Sequence, residues 1–415
     1  MRSIIWLILL FVAAVVAATV LGRNDALVSV FYGEWRLDLS LNLFLLAIVG
    51  LVLLLFATLQ ASNSLLSLPQ RAREWRQLKR ERAASAALRD AWAELLAARY
   101  ARAKRLAQRA LDLQAEVPGL KNDVQFAVLA QVAAATGLHR LQDRSGRDER
   151  VQAALKLVRE SLGAGSAADG VQLLAAEWAL DDRDAARSLD LLSELAPGVA
   201  RRTQALRLKL QATRQQRKPL EALQTARLLA KHQGFSTLAA QSLLRSLAIE
   251  ALDQSYDMAQ LQAVWQALDS SDRGDPWVVA RAARRAQALG RPEQGRQWLQ
   301  PLWEQIAKVE PDARKQLALG LVDCVQGAGT DWLTRVETAL ARNGHEGALV
   351  AAAGVVFAER QLWGKARRLL EQTANAADLP AGVRRNALRR LATLARDEGD
   401  EAGATRHEQR AAGID

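Results

Sequence analysis

The sequence has almost no cysteine: Cys324 is the single one among 415 residues. A disulfide framework and a multi-cysteine metal site within one chain are therefore excluded. That thiol stands in the apolar run LGLVDCV, the setting of an ordinary buried cysteine. Nine prolines leave long stretches free to be helical, and aromatic residues make up only 5%. Beyond residue 60 the β-branched residues that favour strands are sparse, while the strong helix formers Ala, Leu, Arg, Gln and Glu dominate. The composition predicts an all-α protein.

Motifs for chemistry are missing as well. The GAG at Gly163 and at Gly327 lacks a third glycine at the right distance and follows no strand, so no phosphate or dinucleotide loop is supported. There is no G-x-S-x-G, no H-E-x-x-H and no C-x-x-C-H. His139, His232, His345 and His407 are far apart with no motif linking them, and an isolated histidine in a helical protein is usually a surface or capping residue. Asp181 and Asp182 read as turn residues, which solvation and capping explain. The expectation is a protein without enzymatic activity, catalytic residues, a metal or a bound cofactor.

What is present begins with two long uncharged stretches. Ser3 to Gly22 is made almost wholly of Ile, Leu, Val, Ala, Phe and Trp. Twenty residues at about 1.5 Å rise cover roughly the 30 Å of a bilayer's hydrocarbon core. The second stretch runs from Leu39 to Gln70, most apolar at Leu41 to Leu59. A cleaved signal peptide is the competing reading of the first, but no A-x-A site precedes a charged mature start. Residues 1–70 are thus expected to hold two transmembrane helices joined by a short loop, 23–40.

The formal net charge is +11, and its distribution decides what it means. From Arg71 to Ala110 twelve Lys and Arg face four Asp and Glu, so most of the excess occupies one short segment. Arg71, Arg73, Arg76, Lys79, Arg80 and Arg82 follow the second span directly, whereas the loop sets two Arg against Asp25, Glu34 and Asp38. By the positive-inside rule, the basic flank and everything after it stay cytoplasmic, and so does the N-terminus. The expected localisation is a bacterial inner membrane, multi-pass, with the loop periplasmic. The basic segment 71–84 reads as a helix continuing out of the span. Its cations either contact anionic headgroups, at about 1 kcal/mol each, or serve only to fix topology. A basic excess beside the membrane exit argues against a nucleic-acid partner.

The loop has its own pattern. LVSVFYGEWRLDLS alternates apolar and polar residues on both sides of Gly33-Glu34, as a β-hairpin does. Such a hairpin is marginal alone and would lean on the membrane through Tyr32 and Trp35; an irregular interfacial loop is the alternative.

From residue 85 to 415 helical segments alternate with breaks at Pro118-Gly119, Gly163 to Gly170, Pro197-Gly198, Pro219, Ser270 to Pro276, Gly327 to Thr330 and Leu379 to Gly382. Helix pairs joined by short turns are what an α-solenoid requires, and small residues where paired helices approach are its TPR-like signature. Leu388, Leu391, Ala392, Ala395 and Ala404 fit such a pair, and Val350, Gly354, Phe357, Trp363, Ala366 and Leu370 fit the one before it. Candidate small positions 103, 185, 222, 295, 366 and 404 stand 82, 37, 73, 71 and 38 residues apart, close to whole multiples of one repeat. An irregular helical bundle is the alternative. Trp178, Trp265, Trp298, Trp303, Trp332 and Trp363 lie at helical spacing beside Leu and Val, and are expected in the core between repeats.

The order of an apolar span, GRNDALVSVFYGEWRLDLSLN, a second span and a basic helix resembles the HemY family, TPR-containing proteins associated with heme biosynthesis in proteobacteria. The specific part is Gly22 to Asn42, with the final pairs around Trp332, Trp363 and Ala404. The flavin-binding glycine motif of the similarly named protoporphyrinogen oxidase is not in this sequence. The resemblance implies a non-catalytic inner-membrane scaffold linked to a late step of protoheme formation, with heme-pathway enzymes or a porphyrin intermediate as partners and no catalytic residues to carry over. A general membrane assembly or quality-control adaptor unrelated to heme is the other reading.

Overall fold

The computed structural model describes residues 11–12, 26–160, 165–232 and 236–414, and for residues 61–71 and 165–166 it describes the backbone alone. All of the expected first span except Phe11 and Val12 lies outside these residues. Among the described residues everything regular is helical apart from one hairpin.

Strands β1 (Leu27–Tyr32) and β2 (Trp35–Ser40) pair antiparallel from Leu27 with Ser40 to Tyr32 with Trp35. The two-residue turn needs a left-handed first residue, and Gly33 supplies it at φ +59°. The hairpin therefore takes the place of an irregular loop. It passes without a spacer into helix α1 (Leu41–Leu96): the Ser40 hydroxyl accepts from the Leu43 amide at 3.3 Å, and the Leu41 amide donates to the Ala26 carbonyl at 3.0 Å.

Helix α1 runs for 56 residues. At 1.5 Å per residue that is about 84 Å of helix, which carries the apolar stretch, the basic segment and the first packed helix of the array as one element. The expected boundaries at 70/71 and 84/85 both fall inside it. A more compact division lies between Gly163 and Ala164.

In the first unit the end of α1 packs on α2 (Tyr100–Glu116) and α3 (Val124–Arg140), with α4 (Arg144–Glu160) against α3. The contact is made by alanine: Ala84, Ala87 and Ala110 gather around Phe126 and Ala130, and Ala91 and Ala107 around Ala133 and Ala134. Small side chains let helix axes approach closely, so shape fit replaces bulk in this core.

The second unit comprises α5 (Gly165–Asp181), α6 (Ala185–Ser193), α7 (Pro197–Ala200), α8 (Thr203–Gln215), α9 (Pro219–Lys231), α10 (Thr237–Asp253), α11 (Met258–Ala267), α12 (Ser270–Arg273), α13 (Pro276–Ala288), α14 (Pro292–Trp303), α15 (Pro311–Asp323), α16 (Thr330–Asn343), α17 (Gly347–Glu359), α18 (Trp363–Asn375), α19 (Ala381–Asp397) and α20 (Glu401–Ala412). Five of these open on proline, whose missing amide costs nothing at a helix start. The expected break at Gly163 to Gly170 is shorter than its glycines suggest, because residues from Gly165 onward are helical. Helix α17 is buried from Ala348 to Ala358 on every side, as its uniformly apolar sequence requires, and packs against α15, α16, α18 and α19.

A single turn recurs along the chain. At Ala98, Gln142, Arg183, Arg217, Gly290, Gln361 and Gly399 the backbone is left-handed, with φ from 54° to 82°. In each case the next amide donates to the carbonyl five residues earlier, at 2.8 to 3.0 Å, which is the Schellman closure of a helix end. At four of these turns small buried residues stand seven before and five after: Ala91 and Ala103, Ala283 and Gly295, Gly354 and Ala366, Ala392 and Ala404; Arg147 follows the turn at Gln142 and Leu210 precedes the turn at Arg217 in those places. At Gly295 a Cβ would lie 2.9 Å from the Ala283 carbonyl oxygen, so the paired helices touch there.

Two sequence expectations need correction. After the turn at Arg183 the small position belongs to the fully buried Ser188, not to Ala185, which lies in the first turn of α6 and is buried beside it. Trp363 is 37% exposed rather than internal, because it opens α18 at the rim, one turn before the buried Ala366.

Candidate membrane interface

The first twenty residues of α1, Leu41–Gln60, are long and apolar enough to cross a membrane, with a mean hydropathy of 2.7 and no part of the window buried inside the protein. At about 25 cal/mol per Å² of apolar surface, holding such a helix in water is unfavourable by tens of kcal/mol. The chain is membrane-associated through this helix.

Next to it the hairpin presents two unlike faces. Cross-strand partners share a face and alternate along each strand. One face therefore carries Val28 with Leu39, Val30 with Leu37, and Tyr32 with Trp35. The other carries Leu27 with Ser40, Ser29 with Asp38, and Phe31 with Arg36. On this second face Asp38 accepts from the Ser29 hydroxyl and, at 3.0 Å, from Arg36 Nε, while the Arg36 guanidinium lies 5.7 Å over the Phe31 ring.

Beyond the span, Arg73, Arg76, Lys79, Arg80 and Arg82 are all exposed on α1, and the side chain of Arg71 lies outside the described residues. Two of them are partly engaged by the protein. Lys79 Nζ sits 5.2 Å over the Trp75 ring, and Arg80 pairs with Glu116 of α2 at 3.9 Å. Along the helix axis Arg73 is about 20 Å and Arg82 about 33 Å past Gln60, a spread wider than a headgroup layer. The sequence brings these cations together on one helix without placing them at one depth.

The residues expected to pack between repeats are found as follows. Gly354, Phe357, Ala366, Leu388, Leu391, Ala392 and Ala404 are buried. Trp303 meets Trp332 edge to face at 5.5 Å, Trp265 stacks on Trp298 at 4.6 Å, and Trp178 is buried. Sequence reasoning missed the charged groups between successive pairs. The nearly buried Arg314 holds Glu346 at 2.6 Å and donates to the Ile306 carbonyl at 3.3 Å. Arg296, also buried, donates to the carbonyls of Cys324 at 2.7 Å, Gln326, and Gly327 at 3.1 Å, closing the end of α15. A signal for them existed, since each arginine stands about one repeat before its partner.

Among the described residues no group of three or more His, Cys, Asp or Glu side chains is placed to hold a metal ion. Cys324 is buried, its Sγ donating to the Gly320 carbonyl at 3.1 Å, and burial pushes the thiol up to about 12. His139 Nδ1 lies 3.2 Å from the Arg147 guanidinium. His407 is held below its usual value, first by partial burial and then by the Arg410 charge.

Compared with known proteins, residues 27–137 match a family model described as the HemY protein N-terminus. That segment starts at β1 and ends in α3, so it spans the hairpin, the apolar helix, the basic segment and the first packed helices. No curated protein matches the chain.

Proposed function

The segment from 27 to 137 makes this chain a member of the HemY family, and from that premise we propose that it is a non-catalytic scaffold anchored in a bacterial inner membrane and linked to a late step of protoheme formation. The helix pairs form a TPR-like α-solenoid on the cytoplasmic side, both termini are cytoplasmic, and a second span precedes the hairpin. Partners are enzymes of the heme pathway or a poorly soluble porphyrin intermediate.

One observation carries this reading: the apolar helix and the first packed helix are the same helix, α1, so whatever binds the first unit is held beside the bilayer. The Schellman turn that recurs along the chain, at four sites with small buried residues in the same two flanking places, supports the repeat assignment, since an irregular bundle has no reason to repeat that combination. The basic flank supports the orientation.

A deletion strain tests the function. Porphyrins upstream of protoheme should accumulate and the heme pool should fall; unchanged pools would remove the heme link. Crosslinking from the array should recover heme-pathway enzymes, and recovery of envelope-assembly proteins in their place would favour a general adaptor.

A further inference from the structure

From the two faces of the hairpin we infer that β1 and β2 lie flat on the bilayer, with Val28, Val30, Tyr32, Trp35, Leu37 and Leu39 set into the lipid interface. The inference rests on α1 crossing the membrane. The occupant of this apolar face is lipid, and three features identify it.

The first is continuity. Ser40 is both the last residue of β2 and the N-cap of α1, so the apolar face begins at the edge of the hydrocarbon with no linker to carry it away. The second is the tip. Six-residue strands are about 20 Å long. A hairpin standing along the membrane normal would hold Tyr32, 86% exposed, and Trp35, 79% exposed, far out in water. Lying down brings both to headgroup level, where the amphipathic rings of Tyr and Trp are most stable. The third is the opposite face, where Ser29 and Arg36 donate to Asp38 and the Arg36 guanidinium lies 5.7 Å from the ring centre of Phe31, which like Leu27 stays exposed. That side carries both charged residues of the two strands, Arg36 and Asp38, and is the one turned to water. A two-stranded hairpin needs a surface to be stable, and among the described residues its apolar side adjoins only α1, whose own surroundings are lipid.

Spin labels on the full-length chain test this, in vesicles of phosphatidylethanolamine and phosphatidylglycerol. The native Cys324 is buried and stays unlabelled in the folded protein. Nitroxides at Val30→Cys and Leu37→Cys should collide several-fold more often with oxygen than with a water-soluble nickel chelate. Labels at Leu27→Cys and Arg36→Cys should show the reverse, with Tyr32→Cys as a further reporter should an apolar-face variant fail to accumulate. Equal collision ratios on the two faces would overturn the inference. Spin–spin broadening confined to Val30→Cys and Leu37→Cys would overturn it too, by assigning the face to a second copy. A label at Val52→Cys separates the failures: lipid exposure there with water exposure at 30 and 37 sinks the hairpin placement alone. Water exposure at 52 sinks the anchor and the placement together.

Discussion

At Ser188 a hydroxyl is sealed in the core without a hydrogen-bond partner, at the register position that five of the other six pairs give to alanine or glycine. An unsatisfied buried polar group destabilises by about 1 to 3 kcal/mol, so Ser188→Ala should raise the denaturation midpoint, by about 1 kcal/mol of stability in denaturant titration. A loss of stability would show that the hydroxyl is satisfied. Cys324 makes a second statement at this scale. With its thiol raised to about 12 by burial, it should resist maleimide at pH 8 until the second unit unfolds, which labelling rates along a urea series would show. The burial of Cys324 was legible because one apolar run surrounds it. Ser188 was not legible, since Ala185 stands three residues away and fits the same pattern until the turn at Arg183 fixes the register.

Between elements, the arginines that tie successive pairs decide whether the array is cooperative. Removing one partner from a buried ion pair leaves a stranded charge and is destabilising by about 3 to 5 kcal/mol, whereas replacing both by apolar groups is close to neutral. Arg314→Met should therefore destabilise the second unit strongly, and Arg314→Met with Glu346→Leu should recover most of the loss, as a double-mutant cycle in urea would measure. Additive effects would mean that the pair contributes nothing. The helices themselves were legible from composition and from prolines at their starts. The tight turns were not: five of the seven left-handed residues are Ala, Gln or Arg, which no glycine-based reading detects. Breaks rich in glycine and proline drew attention to the longer connections, while the shorter ones that set the repeat went unseen. The hairpin was legible because alternation of period two on both sides of Gly33 has few other solutions.

For the whole chain, the account depends on α1 being lipid-embedded at one end and part of the array at the other. Along its length the sequence changes from apolar to basic to alanine-rich amphipathic within one helix, in which Pro69 is the one residue whose nitrogen cannot donate, so the composition changes where the helix does not end. The most direct test is alkaline carbonate extraction of membranes containing the full-length chain, with intact mass confirming that residues 1–70 are present. The account predicts that the chain stays in the membrane pellet. Recovery of the intact chain in the supernatant would contradict it.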